Sequence, residues 1–220
     1  MVKKNKKIVA IVQARLTSKR FPNKVIKKIG KLTIIELIFK RLKRSRLIDK
    51  IVFAIPANKK NDKLYVLLKS LNANIFRGSE NNVLDRFFKT AKKFKASTII
   101  RITADAPLVD PKLIDEMISV YQKKKPDYLT NTPDNTSPSP RSFPDGFDVE
   151  MFSFNSLKLA KKNALSNFYR EHVTPYLKFS GKFKKRDFNF SKDLSFLKLS
   201  VDEKKDLKNI RRIYKYFYPN

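Results

Sequence analysis

Residues 8–12 of this chain, Ile-Val-Ala-Ile-Val, form an unbroken apolar and mostly β-branched run that stops abruptly at Gln13. Such a run suits a strand buried on both faces of a parallel sheet, which requires helices above and below it. The segment that follows reads Q-A-R-L-T-S-K-R-F-P-N-K and carries Arg15, Lys19, Arg20 and Lys24, with hydroxyls at Thr17 and Ser18. Pro22 disfavours helix at Phe21. A basic loop leaving the carboxyl end of a first buried strand lies where open α/β sheets bind ligands, and its cations suit a polyphosphate. The loop therefore reads as a triphosphate clamp. It contains no glycine, which excludes a Walker loop or a dinucleotide fingerprint, so the charge must come from side chains. The alternative is a solvated basic connection in a protein that is basic throughout.

The rest of the chain alternates strand and helix at α/β spacing. Thr33 with Glu36 forms a capping-box pattern before a helix to about residue 44, with Ile34, Leu37, Ile38 and Leu42 as its apolar stripe. A buried strand at 50–55, a helix at 61–70, a short strand at 74–76 and a helix at 83–94 follow. Arg77 and Ser79 sit in the turn before that last helix, while Asp85 and Arg86 read as solvated. A β-branched strand at 97–103 runs into A-D-A-P-L-V-D-P and a helix at 111–123, with Asp110 as its cap. The predicted fold is α/β: a Rossmann-like, mostly parallel sheet flanked by helices. No linker or repeat divides residues 1–220, which read as one domain.

Asp105 emerges at a strand's carboxyl end with Pro107 and Pro111 stiffening the turn. A carboxylate there suits magnesium, which takes a few carboxylate oxygens plus substrate phosphates. The other reading is an Asx-turn aspartate. After a strand at 128–131, residues 132–146 break the pattern with proline, serine and asparagine, and long irregular loops in compact domains are usually functional or mobile. The loop ends in F-P-D-G-F-D-V-E with Asp145, Asp148 and Glu150, and Asp145-Gly146 reads as a turn with alternating strand residues behind it. Ser166 caps a helix containing His172, with a kink at Pro175. Late strands at 184–190 and 196–201 precede Asp202, which reads as the cap of a final amphipathic helix carrying Leu207, Ile210 and Ile213.

These motifs together resemble a known family. Q-A-R-L-T-S-K-R-F-P-N-K is similar to the Q-A-R-x-x-S-x-R-x-P-x-K signature of the cytidylyltransferases that make CMP-activated acidic sugars. The R-G-S and V-L-D-R-F stretches at 77–79 and 83–87, D-A-P-L at 105–108, F-P-D-G-F-D-V-E-M-F at 143–152 and R-E-H-V-T-P-Y at 170–176 extend the likeness over nearly the whole chain. The resemblance implies a nucleotide-diphospho-sugar transferase (GT-A-like) sheet. It implies CTP and a small sugar as substrates, Mg²⁺ as cofactor, and catalytic roles for Arg15, Lys24 and Asp105. Gln13, Ala14, Ser18, Arg20, Arg77, Ser79 and Thr103 would join Arg15 and Lys24 around the nucleotide. Asp145, Asp148, Glu150 and His172 would face the acceptor, within a 130–190 subregion for acceptor binding and oligomerisation. Asp202 would join Asp105 on the metal, although Glu203, Lys204 and Lys205 replace the T-P-E that usually follows. Homodimers are common in this family.

The composition narrows the alternatives. With 50 Lys+Arg against 20 Asp+Glu the formal charge is +30, which raises the nucleic-acid class directly. The lysines recur on nearly every predicted helix and turn instead of clustering, so they would steer anions without reading a sequence. No specific nucleic-acid partner is expected. A glycosyltransferase of similar fold would show Asp-x-Asp after a strand, and alanine flanks Asp105 on both sides. The chain has no cysteine, so no disulfide or thiolate site is available. The apolar run behind the basic N-terminus is too short for a signal segment, and no stretch approaches a membrane span, so a cytoplasmic protein without membrane insertion is expected.

Overall fold

The buried run is the middle of the molecule. The computed structural model of the chain describes residues 6–133 and 140–218, so residues 1–5 of the basic N-terminus and residues 134–139 of the irregular loop lie outside the described residues. In chain order the strands are β1 (Ile8–Gln13), β2 (Lys28–Ile29), β3 (Leu32–Thr33), β4 (Lys50–Pro56), β5 (Asn74–Gly78), β6 (Thr98–Thr103), β7 (Tyr128–Thr130), β8 (Glu150–Ser153) and β9 (Lys185–Asp187). The helices are α1 (Ile34–Leu42), α2 (Asp62–Ser70), α3 (Val83–Lys93), α4 (Pro111–Lys124), α5 (Phe154–Asn163), α6 (Asn167–His172), α7 (Pro175–Phe179) and α8 (Lys204–Phe217). Seven strands form one sheet in the order β5-β4-β1-β6-β8-β7-β9, and β2 pairs β3 in a separate hairpin. Every pairing in the large sheet is parallel except the two made by β8.

Alternation along the strands divides the core in two. Ala10 and Val12 of β1 share one cluster with Phe53, Ile55, Ile100 and Ile102 and with the apolar stripes of α1, α2, α4 and α8. Val9 and Ile11 share the other with Val52, Ala54 and Ile99 and with α3, α5 and α7. β1 is buried on both faces, as its unbroken apolar run requires. The helix ends obey local rules: Thr33 and Glu36 close a full capping box on α1, Asp110 accepts from the Lys112 amide at 2.9 Å, and Ser166 caps α6.

Several expectations are corrected. The predicted strand at 184–190 shrinks to β9, and 196–201 forms no strand, only an isolated bridge between Lys198 and Asp145. Helix α5 was not expected, although Ser153 caps it and Leu157 and Ala160 give it a buried side. The Pro175 kink is a full break: Val173 adopts φ 68° and Pro175 opens α7. Arg86 is not solvated but 2% exposed, and Asp85 is paired to Lys89 at 2.7 Å and Lys161 at 2.8 Å.

The segment before α8 is fixed by the Asp145-Gly146 turn. The Asp145 amide donates to Leu197 O at 3.0 Å, its carbonyl accepts from Leu199 N at 2.7 Å, and its carboxylate accepts from the Ser200 hydroxyl at 2.7 Å. Gly146 has φ 99°, and a Cβ there would lie 2.5 Å from Ser200 N. Only glycine allows this approach. Gly146→Ala should therefore destabilise the fold by ~2–4 kcal/mol, from left-handed strain plus a backbone clash. In thermal unfolding this appears as a Tm lower by roughly 5–10 °C.

Three carboxylates predict the acid limit of stability. Burial alone would raise Glu150, but the Arg101 charge and hydrogen bonds from Tyr128, Arg101 and Thr174 outweigh it and hold the carboxyl below 4.5. Asp206 is likewise lowered, against burial, by the backbone amides of Asp202 and Glu203 and by Lys198, and Asp85 by Lys161 and Lys89. A carboxyl lowered on folding contributes stability above its unfolded pKa and loses it as pH falls. The urea midpoint contributed by these groups should hold through the neutral range and drop below about pH 4.5; Glu150→Gln should weaken that acid-side slope.

Candidate active site

The chain steps from β1 to β4 and β5 on one side, then returns to the far side of β1 with β6. That reversal opens a crevice beyond the carboxyl ends of β1 and β6, the place where open α/β sheets take ligands. A cleft of about 560 Å³ lies there, and the basic loop forms one wall. Leu16, Phe21 and Val25 are 5%, 6% and 2% exposed and anchor the loop from below. Its course is set by Asn23 N–H donating to Leu16 O at 2.9 Å and by Leu16 N–H donating to Asn61 Oδ1 at 2.8 Å. With the apolar residues pinned, Arg15, Ser18, Lys19, Arg20 and Lys24 line the cleft.

Lys24 is the centre of the charge arrangement. It is only 8% exposed, and its Nζ donates to Asp105 Oδ2 at 3.2 Å and to Asp202 Oδ1 at 3.1 Å. Arg20 adds a 2.9 Å pair to the same Asp202 oxygen. Asp105 and Asp202 thus aim at one cationic point although 97 residues separate them in sequence, and the Val201 amide donating to Asp105 O at 2.8 Å ties their two segments together. Asp202 is not the cap of α8. Glu203 takes that position in a capping box with Asp206, whose carboxylate also accepts from the Asp202 amide at 2.9 Å, and this leaves the Asp202 side chain to the cleft.

The lining carries six lysines and arginines against three carboxylates. Arg86 lines it from α3, with its guanidinium donating to Ser79 O and Glu80 O and its buried Nε unpaired. Burial, and after it the nearby Arg15 charge, pushes this guanidinium down to about 10, against the opposite pull of Glu80. Glu80 holds the basic loop in turn, accepting from the Thr17 hydroxyl and, at 2.5 Å, from Asn58 Nδ2.

The other expected site residues divide. Gln13, Ala14, Thr103 and His172 line the cleft, together with Arg101 and Glu171, which the sequence did not single out. Arg77 is turned away: its guanidinium bonds Asn58 O at 3.0 Å and Asp62 at 2.6 Å and stacks over Tyr65. Ser79 Oγ accepts from the Asn82 amide at 3.0 Å and lies outside the lining. Asp145 is spent on Ser200, Asp148 pairs with Arg141 at 2.5 Å, and Glu150, 6% exposed, is consumed by Arg101 and the Tyr128 hydroxyl. None of these three carboxylates lines the cleft, and each is engaged by a protein partner. For Arg86, burial next to an apolar Val83-Leu84-Phe87 stripe was the available signal; for Arg101, it was a lone cation inside an apolar strand.

Comparison with known proteins bears on the family of the chain. The cytidylyltransferase family model matches residues 9–216. An uncharacterized protein of Methanocaldococcus jannaschii is 40% identical over 171 residues, covering 78% of this chain and 67% of that protein. The spore coat polysaccharide biosynthesis protein SpsF of Bacillus subtilis is 31% identical over 217 residues, covering 94% and 86%. Among solved structures, a cytidylyltransferase from Leptospira borgpetersenii superposes with a TM-score of 0.88 at 29% identity, covering 96% of this chain and 87% of that one. The family match over residues 9–216, with 31% identity to SpsF over 94% of the chain, shows that this chain belongs to the cytidylyltransferase family.

Proposed function

We propose that this protein transfers the CMP group of CTP to a hydroxyl of a sugar acid of the ulosonate class, with magnesium, and releases pyrophosphate. The observation that carries the reading is the meeting in one cleft of Arg15 and Lys24, from the loop after β1, with Asp105 and Asp202 from two distant segments. In the reaction the sugar oxygen bonds to the α-phosphorus, the bond from that phosphorus to the pyrophosphate oxygen breaks, and the hydroxyl proton passes to solvent. Such chemistry is served mainly by positioning and charge stabilisation. Arg15 and Lys24 neutralise the leaving pyrophosphate, with Ser18 and Arg20 beside them. Gln13, Ala14 and Thr103 border the nucleotide, and His172 closes the acceptor side.

The donor set fits magnesium. That ion takes one or two carboxylates and completes its shell with phosphate oxygens and water. Asp105 and Asp202 supply that number around a point already suited to a cation, and no group of three or more His, Cys, Asp or Glu among the described residues forms a self-sufficient cage. When bound, magnesium supplies Lewis-acid polarisation of the phosphoryl group and acidifies the attacking hydroxyl.

The likeness to a spore coat polysaccharide protein supports a role in surface polysaccharide synthesis, and use of CTP supports a cytoplasmic location. No described helix is long and apolar enough to cross a membrane. Leu165 and Phe168, 74% and 55% exposed beside the cleft helix α6, support a homodimer, which light scattering of the purified chain tests. A lysine distribution spread over most helices supports steering of anionic substrates over nucleic-acid recognition.

Pyrophosphate release with a panel of nucleotides and of acidic and neutral sugars, with and without magnesium, tests the reading. CTP with an acidic sugar and magnesium should give the signal. Asp105→Asn should lower turnover on the order of 10²-fold, and full activity of that variant with magnesium would refute the metal assignment. Lys24→Met should cost a similar ~10² in turnover, and should also raise the affinity of the nucleotide-free protein for Mn²⁺, read by electron paramagnetic resonance, because Asp105 and Asp202 lose their internal counter-charge.

A further inference from the structure

The basic loop is held from outside the cleft by a closed ring of hydrogen bonds. The Leu16 amide donates to Asn61 Oδ1 at 2.8 Å, Asn61 Nδ2 donates to Asn58 Oδ1 at 2.8 Å, and Asn58 Nδ2 donates to Glu80 Oε2 at 2.5 Å. The other Glu80 oxygen accepts from the Thr17 hydroxyl, and the peptide between Leu16 and Thr17 closes the ring. Asn61 is 0% exposed, so its contacts are shielded from water. None of these residues lines the cleft, whereas Ala14, Arg15, Ser18 and Lys19, on either side of the held pair, all do.

The sense of the ring is fixed at both ends. A backbone N–H only donates, so Asn61 must present its oxygen to Leu16 and its NH₂ group to Asn58. Asn58 then accepts with its oxygen and gives its NH₂ group to Glu80, whose carboxylate accepts at both oxygens and leaves Thr17 as the donor. The supports of the ring are pinned as well. Arg86 Nη1 donates to the carbonyls of Ser79 and Glu80, and Arg77 Nη2 donates to Asn58 O at 3.0 Å. Leu16 also accepts through its carbonyl from the Asn23 amide at 2.9 Å, so the ring fixes the residue on which the loop closes just before Lys24.

A loop without glycine needs such a brace. Glycine-rich loops hold phosphates with backbone amides, whereas here long cationic side chains must converge, and they lose entropy when they do. Fixing the backbone beforehand reduces the ordering left for the moment of binding. We propose that Glu80 and Thr17 are positioning residues that give the cleft its preference for a nucleoside triphosphate over the monophosphate: the bond between them keeps Arg15 and Lys24 aimed at the two phosphates that leave as pyrophosphate. The inference rests on the reading of the basic loop as a triphosphate clamp given under the proposed function.

Calorimetric titration of the full chain with CTP, inorganic pyrophosphate and CMP, with magnesium present and sugar absent, separates this role from general support of the fold. Thr17→Val removes the hydroxyl at nearly constant shape, Glu80→Ala removes its acceptor, and Thr17→Ser keeps the bond. Thr17→Val and Glu80→Ala should each weaken CTP and pyrophosphate by about tenfold, from the loss of one hydrogen bond to a charged group, and leave CMP unchanged. Thr17→Ser should bind CTP as the wild type does. A loss that is equal for CTP and CMP, no loss for either, or a Thr17→Ser protein as weak as Thr17→Val overturns the proposal. Wild-type protein that binds CMP as tightly as CTP, or that fails to bind pyrophosphate, overturns instead the triphosphate-clamp reading beneath it.

Discussion

The ion triad of Lys24, Asp105 and Asp202 is the interaction on which the site depends. Two carboxylates directed at one point repel each other and would not stay there without a cation between them. Lys24 supplies it from a position 81 residues from Asp105 and 178 from Asp202 in sequence. The lysine side chain is 11% exposed and the two aspartates 31% and 19%, so solvent screens the triad less than it would a surface pair. The Arg20 contact to Asp202 is different in kind: its side chain is 63% exposed, and such a pair contributes little to stability. The cohesive part is Lys24, and it is held by the apolar anchors Phe21 and Val25 on either side of it.

Each member of the triad is delivered by ordinary local structure. Asp105 follows from the end of β6 and a turn closed by the Ala106 amide donating to Thr103 O at 3.3 Å. Asp202 is delivered by the ladder between Asp145 and 197–199, and by Asp206, which takes over the capping duty and frees it. The site is thus assembled from contacts of high sequence separation, whose formation must wait for the sheet. The +30 net charge of the chain adds little to this geometry, because lysines scattered over the surface attract anions from all directions. The local excess of cations lies in the cleft, where Arg15, Lys19, Arg20, Lys24, Arg86 and Arg101 outnumber Asp105, Glu171 and Asp202.

Fold and loop were legible because they are written in periodicity. An apolar β-branched run stopping at Gln13 can hardly be anything but a buried strand followed by a crevice loop, and Thr33, Asp110 and Ser166 announce helix starts by residue type alone. Side-chain direction was not legible. Asp145, Asp148 and Glu150 look in sequence like a set of acids available to a sugar, yet each has found a protein partner: Ser200, Arg141 and Arg101. Arg77 was misleading for the same reason, since Asn58 O and Asp62 compete for its guanidinium from a neighbouring turn. Asp202 was misread in the opposite sense, because the presence of Asp206 three residues beyond Glu203 decides which acid caps α8. Residue type identifies what can bond; only the fold decides with what.

The diversion of Glu150 is therefore more than a lost ligand. A fully buried carboxylate demands a counter-charge, and β6 supplies Arg101 directly across the pairing. A buried guanidinium with one edge on Glu150 needs an acceptor for the Nε it presents to β1, and Gln13 is the only residue of that strand able to accept with its side chain. With its oxygen engaged, the NH₂ half of the carboxamide faces away from Arg101. Of the three acids, Glu150 alone thus reaches the cleft wall at second hand, through Arg101 and its contact to Gln13.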